Sequence, residues 1–252
     1  MKAFPPSTQD IAGTPDTADG GARPLGDQAF LRLRQDIIAC RHAPGSMLTE
    51  AAVMQTYGLG KATCRVALTR LVHEGWLKSV PRHGYRVALV TLKDVEEVFA
   101  LRLLLEPCAA RNAAGRANVK KLRLLEQACD ANRVPRDAGN RLEVFLDANK
   151  ALHLAIAQAG GNERLTRGLT QLLDEMSRLL SLGFVRQDGC GPECQAHGPL
   201  IDAIAAGDGK RAEQLARRHI EAARDSTMDC VVSSLARASA PLPIPLDMAA
   251  QK

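Results

Sequence analysis

The chain has 252 residues, enough for two modest domains of roughly 100–150 residues each, and its 46% apolar content supports packed cores rather than disorder. Aromatic residues make up only 3% while Leu and Ala dominate, which favours helices over sandwiches or barrels, because unbranched side chains lose little rotamer freedom in a helix. The net charge of +5 is unevenly spread: residues 26–90 hold nine Lys/Arg against four acids, whereas residues 1–25 carry −1 and residues 91–252 carry +1.

Residues 1–25 are rich in Pro, Gly, Thr, Asp and Ala without apolar periodicity, and are expected to form a disordered tail. Over 28–40, Phe30, Leu31, Leu33, Ile37 and Ile38 recur at helical spacing, and Ala43-Pro44-Gly45 stops that helix. Thr49 suits the N-cap of a short helix reaching Tyr57. After the turn Gly58-Leu59-Gly60, a second helix over 61–74 puts Cys64, Ala67, Leu68 and Leu71 on one face. The period then changes: 76–80 reads as a strand, Pro81-Arg82-His83-Gly84 as a turn and 85–90 as a returning strand. Helix, helix, turn, helix and hairpin is the order of a winged helix-turn-helix.

The remainder reads as six helices over 92–116, 119–131, 142–159, 163–182, 195–206 and 210–238, joined by short Gly- or Pro-containing links that imply an antiparallel bundle. The expected fold is therefore mainly α, with a winged helix-turn-helix domain at 26–90, an all-helical bundle at 91–238 and a flexible tail at 239–252. No apolar run approaches the roughly 20 residues of a membrane span, and the start lacks a basic-then-apolar leader, so the expected location is the cytoplasm, with no membrane partner. Seven cysteines stand at 40, 64, 108, 129, 190, 194 and 230. They are expected to be reduced thiols, with a Cys190–Cys194 disulfide as the minor alternative, because no second close pair completes a zinc site.

The basic excess in 26–90 points to nucleic acid, since cations that neutralise phosphates release condensed counterions. A solvated basic surface is the plain alternative. In a helix-turn-helix the second helix lies in the major groove. Here it starts at Lys61, which shares an exposed face with Arg65 four residues on. Arg65 is the first candidate for base readout because its guanidinium can grip guanine bidentately, while Arg70 could reach a phosphate and His83 and Gly84 a minor groove.

Three histidines fall on the apolar stripes of separate bundle helices: His153 with Phe145, Leu152 and Ile156; His197 with Leu200, Ile201 and Ile204; His219 with Leu215 and Ala222. Asn149, four residues before His153, offers an oxygen on the same face. Three imidazoles and an oxygen suit zinc, nickel or a similar divalent ion if they converge; if not, each is a hydrogen-bonded core histidine.

Two stretches carry a family resemblance. Ala43-Pro44-Gly45-Ser46-Met47-Leu48-Thr49-Glu50, the helix from Lys61 to Leu71, Arg70-Leu71-Val72-His73-Glu74-Gly75 and Pro81-Arg82-His83-Gly84-Tyr85-Arg86-Val87 together resemble the winged head of GntR-type regulators. That resemblance implies DNA contacts from Lys61, Arg65 and Arg70, with His83 and Gly84 at the wing tip, on a palindromic double-stranded operator bound by a homodimer. Gly60, Thr63 and Val66 replace the family's usual Ser, Pro and Glu. Glu96 to Arg102 with Glu106, Asn149 to His153 followed by Gly161-Asn162, and then His197 and His219 are similar to the FCD ligand-binding domain of the FadR branch. The similarity implies a metal site of Asn149, His153, His197 and His219, with Asn149 in place of a common Asp and Leu152 in place of a Phe.

A metal with an open position would take a carboxylate, so a small organic acid is the expected effector, and Arg102 is the candidate for a second carboxylate contact. The alternative for Arg102 is a helix-surface pair with Glu106. The expected function is a ligand-responsive DNA-binding transcription regulator, not an enzyme. A metal-dependent hydrolase using the His cluster is the alternative, and a regulator that has lost its metal is a third reading.

Overall fold

The structure, a computed structural model, describes residues 24–129, 141–184 and 197–238. Nearly all of the expected N-terminal tail, the expected tail at 239–252, and Cys190 with Cys194 lie outside those residues. None of the five described cysteines is in a disulfide.

The head begins with α1 (Leu25–Ile38), three residues before the apolar periodicity could place it, with Pro24 preceding its first turn. Its stripe of Phe30, Leu33, Ile37 and Ile38 is buried. Helix α2 (Glu50–Tyr57) is capped by Thr49, whose hydroxyl accepts from the Ala52 amide at 3.2 Å. It ends at Gly58, which takes the left-handed conformation. Helix α3 (Lys61–His73) buries Cys64, Ala67, Leu68 and Leu71, the stripe read from the sequence. These side chains close a core with Trp76, Leu77 and Val87 from the wing.

The wing has three strands rather than two. β1 (Met47–Leu48), β2 (Leu77–Val80) and β3 (Gly84–Val87) form an antiparallel sheet in the order β1-β3-β2. Two residues carry no alternation, so β1 exists only through its pairing with Tyr85 and Arg86. Gly84 makes that pairing possible: its φ is +97°, and a Cβ there would sit 2.5 Å from the Leu48 carbonyl oxygen. Gly84→Ala is therefore expected to destabilise the head by about 1–3 kcal/mol, and an unchanged melting temperature would refute that account of the glycine.

The bundle comprises α4 (Leu92–Ala113), α5 (Val119–Cys129), α6 (Arg141–Ala159), α7 (Glu163–Phe184), α8 (Gly198–Ala205) and α9 (Gly209–Ala238). Thr91 and Asp94 form a capping box at the start of α4. Helix α4 packs against α6, α7 and α9. Helix α8 starts at Gly198, later than the apolar pattern suggested, with Pro199 in its first turn, where a missing amide costs nothing. His197 is consequently its N-cap residue and not a member of its stripe. Among the described residues, no helix is long and apolar enough to cross a membrane.

Charges stitch the head to the bundle. Asp174 on α7 is 3% exposed and receives Arg34 of α1 and Lys150 of α6, each at 2.5 Å. Arg41 pairs with Glu143, and Arg178 donates to the Ala88 carbonyl.

Candidate metal centre and DNA-reading face

Packing brings together three histidines that the sequence placed on separate helices. His153 comes from α6, His197 from the cap of α8 and His219 from α9; one ligand nitrogen from each lies within 4.8 Å of the other two. Their ring centroids are 4.3–5.6 Å apart. His153 and His197 are buried and His219 is half-buried.

Behind the cluster stands a residue the sequence reading did not assign to it. Glu106 of α4 places one carboxylate oxygen 2.6 Å from His153 Nδ1, and its other oxygen accepts from Arg102 Nε at 2.5 Å. Burial pushes the Glu106 carboxyl up, but Arg102 and then His153 outweigh it and hold the group well below the usual carboxylate range. An ionised carboxylate only accepts, so Nδ1 of His153 carries the proton and Nε2 is left as the ligand atom. This is how outer carboxylates orient metal-binding imidazoles. At His219, burial, then His153 and Arg102, push the imidazole down to about 3 against the pull of Glu106, so it is neutral at physiological pH and able to ligate.

Three imidazoles that can present lone pairs, one of them braced by a carboxylate, fit a divalent ion of the zinc or nickel type. The cavity beside them, lined by Glu106, His153, Ile156, Leu200 and His219 among others, measures only about 10 Å³, room for one water-sized occupant. Asn149 lies one turn before His153 on α6 and is 7% exposed. Arg102 does pair with Glu106, but that pair is buried, at 1% and 8% side-chain exposure, and not on the helix surface. The i,i+4 spacing was visible in the sequence; that α4 turns the pair inward was not.

On the head, Lys61 and Arg65 are exposed on α3. Arg65 Nε lies 3.1 Å from a Glu50 carboxylate oxygen, an exposed pair that DNA can displace at a cost of about 0–1 kcal/mol. Arg70 is engaged elsewhere: its guanidinium sits 3.8 Å from the Phe30 ring centre and pairs with Asp27 and Glu74 at 2.9 and 3.0 Å. His83 is exposed in the wing turn, whereas Gly84 opens β3 and faces β1. The turn also exposes Arg82, at φ +66°, a cation the sequence reading counted as charge but did not assign to the DNA contacts.

A winged head with a basic recognition helix, joined to an all-helical bundle with a buried imidazole cluster, defines a DNA-binding regulator with a ligand-sensing domain. The chain belongs to the GntR family of bacterial regulatory proteins: residues 25–87 match the gntR family and residues 97–222 match the FCD domain. It is 27% identical over 237 residues to the HTH-type transcriptional regulator BphR of Paraburkholderia xenovorans, covering 88% of this chain and 95% of that protein. It is 22% identical to the HTH-type transcriptional repressor RspR of Escherichia coli, covering 84% and 93% of the two chains. Among solved structures, it resembles a GntR regulator from a Rhodococcus species (TM-score 0.68, 21% identity, 81% of this chain and 97% of that one). It also resembles Escherichia coli McbR/YncC (TM-score 0.66, 19% identity, 85% and 99%). The protein is thus a transcription regulator and not an enzyme. The hydrolase alternative finds no support: its family regulates transcription, and the carboxylate nearest His153 is occupied by His153 and Arg102 rather than available as a base.

Proposed function

We propose that this regulator binds a double-stranded operator as a cytoplasmic homodimer and responds to a small organic acid at a divalent metal held by His153, His197, His219 and Asn149. The observation that carries the reading is the convergence of three imidazoles on one point, with Glu106 fixing the ring of His153. When bound, the metal supplies a Lewis-acidic position for a carboxylate. The domain division at 26–90 and 91–238, with tails at 1–25 and 239–252, belongs to the same proposal. Leu101, Leu104 and Cys108 are exposed along one stripe of α4, an apolar face consistent with a second copy.

The roughly 10 Å³ beside the imidazoles is too small for an organic acid, so such an effector binds only as the bundle loosens. That requirement is what makes the ligand discriminate between two states, and without discrimination no equilibrium moves. Arg102, already held by Glu106, would meet the acid only in the loosened state.

On the head, Lys61, Arg65, Arg70, His83 and Gly84 stand as the DNA-contact set, with Lys61 and Arg65 the most available for base and phosphate contacts. Arg65→Ala is expected to lose about 1–3 kcal/mol of operator affinity and to relax preference at one base pair. Lys61→Ala should weaken all sequences alike and flatten the slope of log K against log salt by about 0.9. Anisotropy titrations on genomic fragments that co-purify with the protein test both, and the same titrations with a panel of organic acids test the effector class. Operator affinity unchanged across the whole panel would sink the sensing half of the reading.

A further inference from the structure

A second cavity, of about 240 Å³, lies at the junction of head and bundle, away from the imidazoles. The head contributes Glu74, Trp76 and Ala88 to its wall, and the bundle contributes Asp94, Glu175 and Arg178. Its size is below the roughly 300–1,000 Å³ of drug-sized sites and far above the one-water space beside the imidazoles, which suits a molecule as small as a free amino acid.

The charges of its wall are imperfectly matched. Arg178 is 6% exposed, donates one Nη to the Ala88 carbonyl, and has no hydrogen-bond partner for its buried Nε; it forms no ion pair among the described residues. Burial pushes its guanidinium pKa down against the pull of Cys40, then of Asp94 and Glu175, the two acids being close enough to feel its charge without pairing with it. Burial pushes the Glu175 carboxyl up, against a hydrogen bond from Gln171 and the charge of Arg34 and with the charges of Asp94 and Asp174. Among the described residues neither the buried guanidinium nor the half-buried Glu175 carboxyl has a salt-bridge partner, and a molecule pairing with each would relieve the cost of the first and satisfy the second.

We infer that this cavity is a second ligand site, for a small zwitterion of amino-acid size whose carboxylate meets Arg178 and whose ammonium meets Glu175 and Asp94. A molecule with one charge would leave the other wall group unpaired. Because Glu74 directly follows the recognition helix and Ala88 follows the wing, an occupant would also brace the head against α7.

The test is calorimetric titration of the full-length, metal-loaded protein with glycine, β-alanine, L-alanine and L-glutamine, with acetate and methylammonium as single-charge controls. At least one zwitterion should bind more tightly than either control, and Glu175→Gln should weaken it about thirtyfold or more. Ala88→Leu, which fills the cavity and leaves the charges in place, should abolish binding without lowering the melting temperature. The His153→Ala variant should bind the zwitterion as the parent does, which separates this site from the metal centre. The inference is overturned if no zwitterion binds at roughly 10 mM, if acetate or methylammonium binds as tightly, if binding survives Glu175→Gln and Ala88→Leu, or if His153→Ala abolishes it.

Discussion

His153→Ala is expected to reduce bound zinc from one equivalent per chain to a trace, with metal affinity falling by more than about 100-fold. The side chain provides one of three converging imidazoles and is braced by Glu106. Its removal also leaves a void in a buried site, for which about 3–5 kcal/mol of lost stability is the usual scale. His153→Gln keeps most of the volume and separates the two effects: it should restore melting temperature more than zinc content. Glu106→Gln is the subtler variant. It retains all three imidazoles but cannot hold the His153 ring as a charged acceptor, and a loss of 10–100-fold in zinc affinity is expected. Metal content by plasma mass spectrometry and competition with a chelating dye measure both. Zinc bound at full stoichiometry by His153→Ala would mean that the metal is not held by this imidazole, and a parent that binds none would make the cluster a set of core histidines.

Asp174→Asn carries the second large effect. The carboxylate is 4% exposed and holds Arg34 from the head and Lys150 from α6, so neutralising it leaves two cations facing each other. Breaking a buried pair costs about 3–5 kcal/mol, and because Arg34 and Lys150 are 19% and 27% exposed the lower end applies. At about 2–4 °C per kcal/mol for a chain of this size, the melting temperature should fall by roughly 6–12 °C. The functional consequence is larger than the thermal one. Lys150 lies between Asn149 and His153 on α6, and Arg34 also lies 3.8 Å from Glu74 at the end of the recognition helix. A shift of α6 at the candidate metal centre would then reach α3 through one carboxylate. Allosteric couplings usually run to 1–3 kcal/mol, and in Asp174→Asn the ratio of operator affinities with and without zinc should fall towards one. A variant that melts early yet keeps the parent ratio would show that the coupling runs by another route.

The winged head was legible because its signals are local. The stripe Cys64, Ala67, Leu68 and Leu71, the Thr49 cap and the Pro81 turn each depend on residues within a few positions of one another. The strand β1 escaped because two residues have no period to read, and the close approach of Gly84 to Leu48 was not legible for the same reason. At the metal centre the three histidines were legible as a candidate set, but His197 was placed on a helix stripe and stands instead at the helix cap. Glu106 was read as part of the resemblance to the FCD domain and as a neighbour of Arg102 four residues away, and not as a partner of His153.

The sequence by itself determined the helices, the basic segment and the identity of the imidazoles, because periodicity, caps and charge are properties of neighbouring residues. Tertiary structure alone decided that His153, His197 and His219 meet, that Arg102 and Glu106 turn inward behind them, and that Asp174 joins two helices to the head. Those facts depend on how helices far apart in the chain rotate and pack against α4 and α7, and no local pattern encodes a helix's rotation about its own axis to within one side chain.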